Sequence, residues 1–294
     1  MKMKKNKEIW TVKDVLLWTS NYFKKNEIQS SQLNAEMIIA RVLNCSRMEL
    51  YLNYDKLLNP KEREEIRNLV KKRATHYPLQ YLIGETEFYG YKFFVDEGVL
   101  IPRPETEILV DAVISYIKQS NKNNWNVLDI GTGTGIIPIS ISKYFSNTQN
   151  KILFTATDIS KTALENAEKN IELHHIQNIQ LILSDTSKDL SGKFDIIISN
   201  PPYISEKQFQ NLQKEVKNFE PKLALFGGEK GLTYYQKILQ NAENFLNKNG
   251  KIFFEIGANQ KEGMEKIIHE FNYKIIDIIK DYNDLYRVLV LEKN

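Results

Sequence analysis

Apolar residues recur at helical spacing through the first part of the chain. Val12, Val15 and Leu16, with Tyr22 or Phe23, make one stripe, and Leu33, Met37, Ile38 and Val42 repeat it in the next segment. A third helix starts after Ser46 with Met48, Tyr51 and Leu52, and Pro60 takes the first-turn position ahead of Ile66, Leu69 and Val70. Residues 10–75 therefore predict a bundle of four or five short helices. After Tyr77 the period changes: residues 87–95, Glu-Phe-Tyr-Gly-Tyr-Lys-Phe-Phe-Val, set aromatic and β-branched side chains around Gly90, as in a hairpin. Helical spacing returns from Glu105 to Tyr116.

Beyond Trp125, strand and helix patterns alternate. Val127 to Ile130 is a short buried strand, followed by glycines and a helical run from Ile136 to Phe145. Ile152 to Asp158 is the next strand, with Ser160 capping the helix after it, and Ile179 to Leu183 and Phe194 to Ser199 supply two more. Lys251 to Ile256 follows a helix expected to end near Leu246, and Tyr273 to Ile279 and Leu285 to Leu291 form a terminal hairpin across a polar turn. The pattern predicts an α/β fold: a doubly wound, mostly parallel seven-stranded sheet, with a smaller N-terminal helical domain and a β-hairpin connection. The expected division is a helical domain over 1–85, a hairpin and linker over 86–104, and the sheet domain over 105–294.

Composition narrows the chemistry. With 42% hydrophobic residues the 294-residue chain is not disordered, and 40 basic against 37 acidic residues leave a net charge of only +3. The charge is unevenly placed: residues 1–85 carry 16 Lys and Arg against 10 Asp and Glu, and the remainder is net −3. The first part thus suits an acidic macromolecular partner or a plain solvated helical surface. Cys45 is the one cysteine, which excludes an intrachain disulfide and a cysteine zinc site. The four histidines form no HExxH pattern, so no metal is expected. No apolar run approaches the ~18 residues of a membrane span, so the expectation is a cytoplasmic protein with no membrane partner.

Two loops carry the candidate chemistry. In Asp129-Ile-Gly131-Thr132-Gly133-Thr134-Gly135, glycines at a strand's mouth let a ligand approach the backbone, and the following helix N-terminus offers unpaired N–H groups. The GxGxG spacing departs from the dinucleotide GxGxxG. An aspartate two positions before the first glycine suits a cationic amino-acid ligand better than a pyrophosphate. Asp158, closing the second strand, suits a ribose diol, and Asp185, after the third, suits an adenine amino group or serves as a helix cap. This set points to S-adenosylmethionine. The second loop, Asn200-Pro201-Pro202-Tyr203, ends a buried strand. Its prolines lack N–H donors, so carbonyl oxygens, the Asn200 amide and the Tyr203 ring remain to hold a planar NH₂ group. Positioning such a nitrogen behind a sulfonium methyl needs no metal and no protein nucleophile.

Before and after these loops, in order, stand the motifs Pro78-Leu-Gln-Tyr-Leu-Ile-Gly84-Glu85, Leu100-Ile-Pro102-Arg103-Pro104-Glu105-Thr106-Glu107, Glu220-Pro221, Ala224-Leu-Phe-Gly-Gly228 and Glu255-Ile-Gly257 with Gln260. Together they resemble, over almost the whole chain, the bacterial release factor glutamine methyltransferases. The resemblance implies a methyltransferase sheet domain, and an N-terminal domain that recognises class 1 peptide chain release factors. It also implies methylation at N5 of the Gly-Gly-Gln glutamine. It assigns Gly131, Thr132, Gly133, Thr134, Gly135, Asp158, Asp185, Thr186 and Asn200 to S-adenosylmethionine, and moves Arg103 to a wall of that pocket. At position 186, where the family often has an aromatic, this chain has Thr186. Asn200, Pro201, Pro202 and Tyr203 are assigned to the glutamine amide, with Asn200, Pro201 and Tyr203 as the reacting set. The implied state is monomeric, without stable nucleic-acid binding. The alternatives are glutamine methylation of a large-subunit ribosomal protein and adenine N6 methylation of DNA, whose enzymes share Asn-Pro-Pro-Tyr but need a basic groove. A cofactor-sensing protein without turnover is a further alternative.

Overall fold

The computed structural model describes residues 9–185 and 190–294. Helix α1 (Val12–Lys25) opens on a capping box between Thr11 and Asp14. Then come α2 (Ser31–Leu43), α3 (Arg47–Leu52), α4 (Pro60–Arg73) and α5 (Leu79–Ile83). Capping boxes also start α3, from Ser46 and Glu49, and α4, from Asn59 and Glu62 with Pro60 in the first turn. These helices share a core of Val12, Phe23, Ile38, Ile39, Leu50, Ile66 and Val70. One expectation is corrected here. The residue that α3 buries is Leu50, whereas Met48 and Leu52 are 75% and 79% exposed.

The chain divides into two compact units, one running through Gly84 and including Lys214–Phe219, the other holding the rest. The short 214–219 segment joins the helical unit through the buried Arg73, whose Nη2 meets Glu215 Oε2 at 2.7 Å, and through Phe219, edge-on to Tyr77 at 5.2 Å.

The second unit begins with β1 (Glu85–Phe88) and β2 (Tyr91–Phe94). Tyr89 and Gly90 both have positive φ, 52° and 71°, and form the two-residue loop of a twisted hairpin. Phe88 and Phe93 are buried in the core of this unit. The succession continues α6 (Thr106–Gln119), β3 (Asn124–Ile130), α7 (Ile136–Phe145), β4 (Lys151–Asp158), α8 (Lys161–Leu173), β5 (Ile179–Leu183) and β6 (Phe194–Ser199). After the short helices α9 (Glu206–Gln210), α10 (Lys214–Phe219), which belongs to the helical unit, and α11 (Lys222–Leu225) come α12 (Thr233–Ala242), β7 (Leu246–Glu255), α13 (Lys261–Glu270), β8 (Tyr273–Lys280) and β9 (Tyr286–Lys293).

Seven strands form one sheet in the order β5-β4-β3-β6-β7-β9-β8, parallel except for β9. Side chains alternate between two cores: Val127, Ile196, Ile198 and Phe253 face one, and Leu128, Ile197, Ile252 and Phe254 the other. Strand β7 starts earlier than expected, because the polar run between Leu246 and Lys251 is absorbed where the register with β6 shifts between Phe194 and Ile196. The preceding helix ends at Ala242 instead of near Leu246. No helix among the described residues is long and apolar enough to cross a membrane.

Candidate cofactor and substrate site

Strand order reverses between β3 and β6, and such a switch point leaves a crevice beyond the strands' carboxyl ends. Register places the motifs there. Ile130 pairs with Thr157 on one side and Ser199 on the other, so the residues that follow, Gly131, Asp158 and Asn200, emerge side by side. The Ser199 hydroxyl donates to the Ile130 carbonyl at 2.7 Å, and the Gly131 and Thr132 amides both donate to the Thr157 carbonyl at 2.8 Å. These bonds fix the mouth of β3 against both neighbours.

Gly131 and Gly133 have φ of 78° and 56°, and a Cβ at either would meet nothing within 4 Å, so the loop presents bare backbone to open space. That space is a cavity of about 840 Å³, including its mouth to solvent. The size is ordinary for a ligand of nucleotide dimensions. Gly131, Gly133, Asp158, Asp185, Asn200, Pro201 and Pro202 all line it. Asp158 Oδ2 accepts from the Gly133 amide and Oδ1 from the Ser160 amide, each at 2.9 Å, leaving lone pairs for a diol. Burial, its largest influence, pushes this carboxyl above its ordinary pKa. The cradle, the paired acceptors and the apolar Ile159, Leu223 and Ile238 beside them suit the sulfonium nucleoside expected from sequence.

Other expected residues lie off the cavity wall. Thr132 and Thr134 are buried within the loop, and Gly135 packs where a Cβ would stand 3.3 Å from that of Ala167. Asp129 is fully buried beneath the loop and pushed up to about 7 by desolvation, so it carries less negative charge toward a ligand than its sequence position suggests. The Arg103 guanidinium is paired with Glu220 Oε1 at 2.5 Å, and the other Glu220 oxygen accepts from the Ile101 amide at 3.2 Å. Arg103 thus braces the segment ahead of α6, and its charge also acts on the Tyr203 hydroxyl. Thr186 lies outside the described residues.

The Asn200 loop is clamped from behind. Gln260 donates to the Tyr203 and Gly231 carbonyls and accepts from the Gly257 amide, each at 2.9 Å. Gly227 passes so close that a Cβ there would sit 2.4 Å from the Pro202 carbonyl oxygen. The Tyr203 ring lies beside Gly257, and burial raises its hydroxyl pKa. The Asn200 amide nitrogen donates to Thr106 Oγ1 at 3.1 Å, and the fully buried Glu255 lies beside both side chains. Burial pushes Glu255 up to about 7. Sequence reasoning named neither Thr106 nor Glu255 as a site residue, although both belong to motifs it quoted. Nor did it find the apolar wall of Val99, Pro221, Ala224 and Tyr234, which the fold assembles from distant segments. Among the described residues no group of three or more His, Cys, Asp or Glu could hold a metal ion.

A doubly wound sheet with its last inserted strand antiparallel, and a glycine cradle at its switch point, defines the methyltransferase class. The Thermus thermophilus 16S rRNA N2 G1207 methyltransferase, solved with AdoMet and guanosine, shares this fold at a TM-score of 0.50 and 17% identity, over 71% of this chain and 50% of that one. The family model described as the PrmC N-terminal domain matches residues 14–84, and the methyltransferase small domain matches 106–219. The release factor glutamine methyltransferase of Rhodopirellula baltica is 39% identical, covering 97% of both chains. That of Chlorobaculum tepidum is 35% identical over 96% of this chain and 97% of its own. The chain belongs to the release factor glutamine methyltransferase family.

Proposed function

We propose that this enzyme transfers the methyl group of S-adenosylmethionine to the side-chain amide nitrogen N5 of the glutamine in the Gly-Gly-Gln motif of a class 1 release factor. The observation that carries this is the register around Ile130, which brings the glycine cradle and Asn200 to neighbouring strand ends on one cavity. When bound, the cofactor supplies an electrophilic methyl on a sulfonium. Gly131 and Gly133 would admit it to bare backbone, and Asp158 would hold its diol. An amide nitrogen is a poor nucleophile because its lone pair is delocalised. The Asn200 and Pro201 carbonyls would accept its two hydrogens, favouring the positive charge that develops on nitrogen as its bond to the methyl carbon forms and the sulfur–carbon bond breaks, with the neutral thioether S-adenosylhomocysteine as the leaving group. The methylated nitrogen would then release one of its two protons to water, leaving the neutral secondary amide. The helical unit, matched by the PrmC N-terminal domain model, serves recognition of the intact factor.

The test mixes purified protein and labelled S-adenosylmethionine with a release factor, its Gln→Ala version, a large-subunit ribosomal protein and duplex DNA. Label should enter the first alone. Asn200→Ala should slow transfer by roughly 100-fold with little change in cofactor affinity. Label on the Gln→Ala factor, or preferential labelling of DNA, overturns the assignment.

A further inference from the structure

The two ends of an asparagine amide are nearly identical in shape, so Asn200 presents an acceptor to substrate only if something distinguishes its oxygen from its nitrogen. The structure assigns that task to Thr106 and Glu255: they are positioning residues that hold the Asn200 NH₂ inward and so turn its carbonyl toward the substrate amide. The inference rests on the reading above, in which that carbonyl takes a substrate N–H.

The three side chains come from three elements, the end of β6, the start of α6 and the end of β7. Thr106 Oγ1 accepts from Asn200 Nδ2 at 3.1 Å, and Thr106 is only 1% exposed, so its own hydroxyl hydrogen needs a protein acceptor. Glu255 is the buried carboxyl against which both Thr106 and Asn200 lie, and neither of its oxygens already meets a donor in hydrogen-bond geometry. A carboxyl keeps an acceptor oxygen whether ionised or protonated. The structure shows the direction of the first step, amide N–H to hydroxyl, with the Glu255 carboxyl lying beside the Asn200 side chain as well. Reversing the amide would turn an oxygen, which has no hydrogen to give, toward the unpaired Glu255 oxygens in place of an NH₂ that can supply one, an arrangement that costs free energy.

Single-turnover methyl transfer to intact release factor, at saturating cofactor, would be measured for Thr106→Val, Thr106→Ser, Asn200→Ala and the Thr106→Val/Asn200→Ala double variant. Cofactor affinity would be titrated in parallel. Thr106→Val should slow transfer about tenfold, the scale of one lost hydrogen bond, with cofactor affinity unchanged. Thr106→Ser should restore the rate, and the double variant should be no slower than Asn200→Ala alone. Thr106→Ala replaces the valine variant if the latter does not fold. Glu255→Gln, which keeps an acceptor, should stay within about threefold of wild type, whereas Glu255→Leu should match Thr106→Val. An unchanged rate in Thr106→Val, or an equal further loss in the Asn200→Ala background, overturns the inference while leaving the proposed function intact. Near-wild-type transfer by Asn200→Ala overturns the proposed function and this inference with it.

Discussion

At the scale of single residues, the site is built around carboxyls that the fold makes expensive to ionise. Glu255 is fully buried and raised from an ordinary 4.5 to about 7, chiefly by desolvation. Below about pH 4.5 both folded and unfolded forms hold the proton, and this group costs nothing. Between there and about pH 7 the unfolded chain has released it while the folded chain retains it, so stability falls as pH rises through that window. The full loss is about 3 kcal/mol. Asp129, raised from 3.8 to about 7 by the same cause, acts in the same direction. Glu255→Gln removes its part of this dependence, so its stability relative to wild type should rise by about 3 kcal/mol between pH 4.5 and pH 8. Urea denaturation at the two pH values measures it. An equal difference at both would show that Glu255 ionises as freely in the folded protein as in the unfolded chain. Sequence could name Asp129, Asp158 and Asn200 from their motifs, but not this pKa behaviour. Burial of one carboxyl and exposure of another depend on what packs over each, and that is decided by segments far away in the chain.

At the scale of elements, periodicity located strands and helices well wherever both faces are determined by packing. The Val127 and Phe194 strands, buried on both sides of the sheet, were legible as short apolar runs. It failed where an element is too short to have a face. Helix α3 has six residues, and a six-residue stripe does not specify which side turns inward; Leu50 enters the core and its neighbours Met48 and Leu52 do not. Leu50→Ala should therefore cost about 2–4 kcal/mol and Leu52→Ala less than about 0.5 kcal/mol. Parallel denaturation curves decide between this assignment and the sequence pattern, which favours the reverse. The start of β7 was missed for a related reason. The sequence pattern began the strand at Lys251, after the polar run Asn247 to Gly250, and only the pairing of Leu246 with Phe194 across a register shift makes that run part of the strand. The Gln260 clamp was equally illegible, since its three partners at Tyr203, Gly231 and Gly257 converge only after β6, α12 and β7 are in place.

At the scale of the whole molecule, charge is distributed by unit. The net +6 of residues 1–85 stands against a net −3 in the remainder; residues 14–84, matched by the PrmC N-terminal domain model, carry net +3 of it, with 11 Lys and Arg against 8 Asp and Glu. Within that unit the last turn of α4 carries Lys71, Lys72 and Arg73, but these differ in availability. Arg73 is buried and committed to Asn34, Tyr77 and Glu215, so it contributes to folding, and steering falls to exposed residues such as Lys71 and Lys72. Long-range attraction between exposed charges raises association rate more than it holds the final complex, and salt suppresses it within a Debye length of about 8 Å at physiological ionic strength. If the basic unit draws in an acidic surface of the release factor, kcat/KM on the intact factor should fall severalfold from about 0.05 to 0.5 M salt. A short Gly-Gly-Gln peptide, which presents the reacting glutamine without that surface, should change by less than about twofold over the same range. Replacing Lys71 and Lys72 with glutamine should flatten the dependence for the intact factor and leave the peptide rate alone. Equal salt sensitivity on the two substrates would remove steering as the reason for the charge division, and would leave the basic surface as ordinary solvated helix.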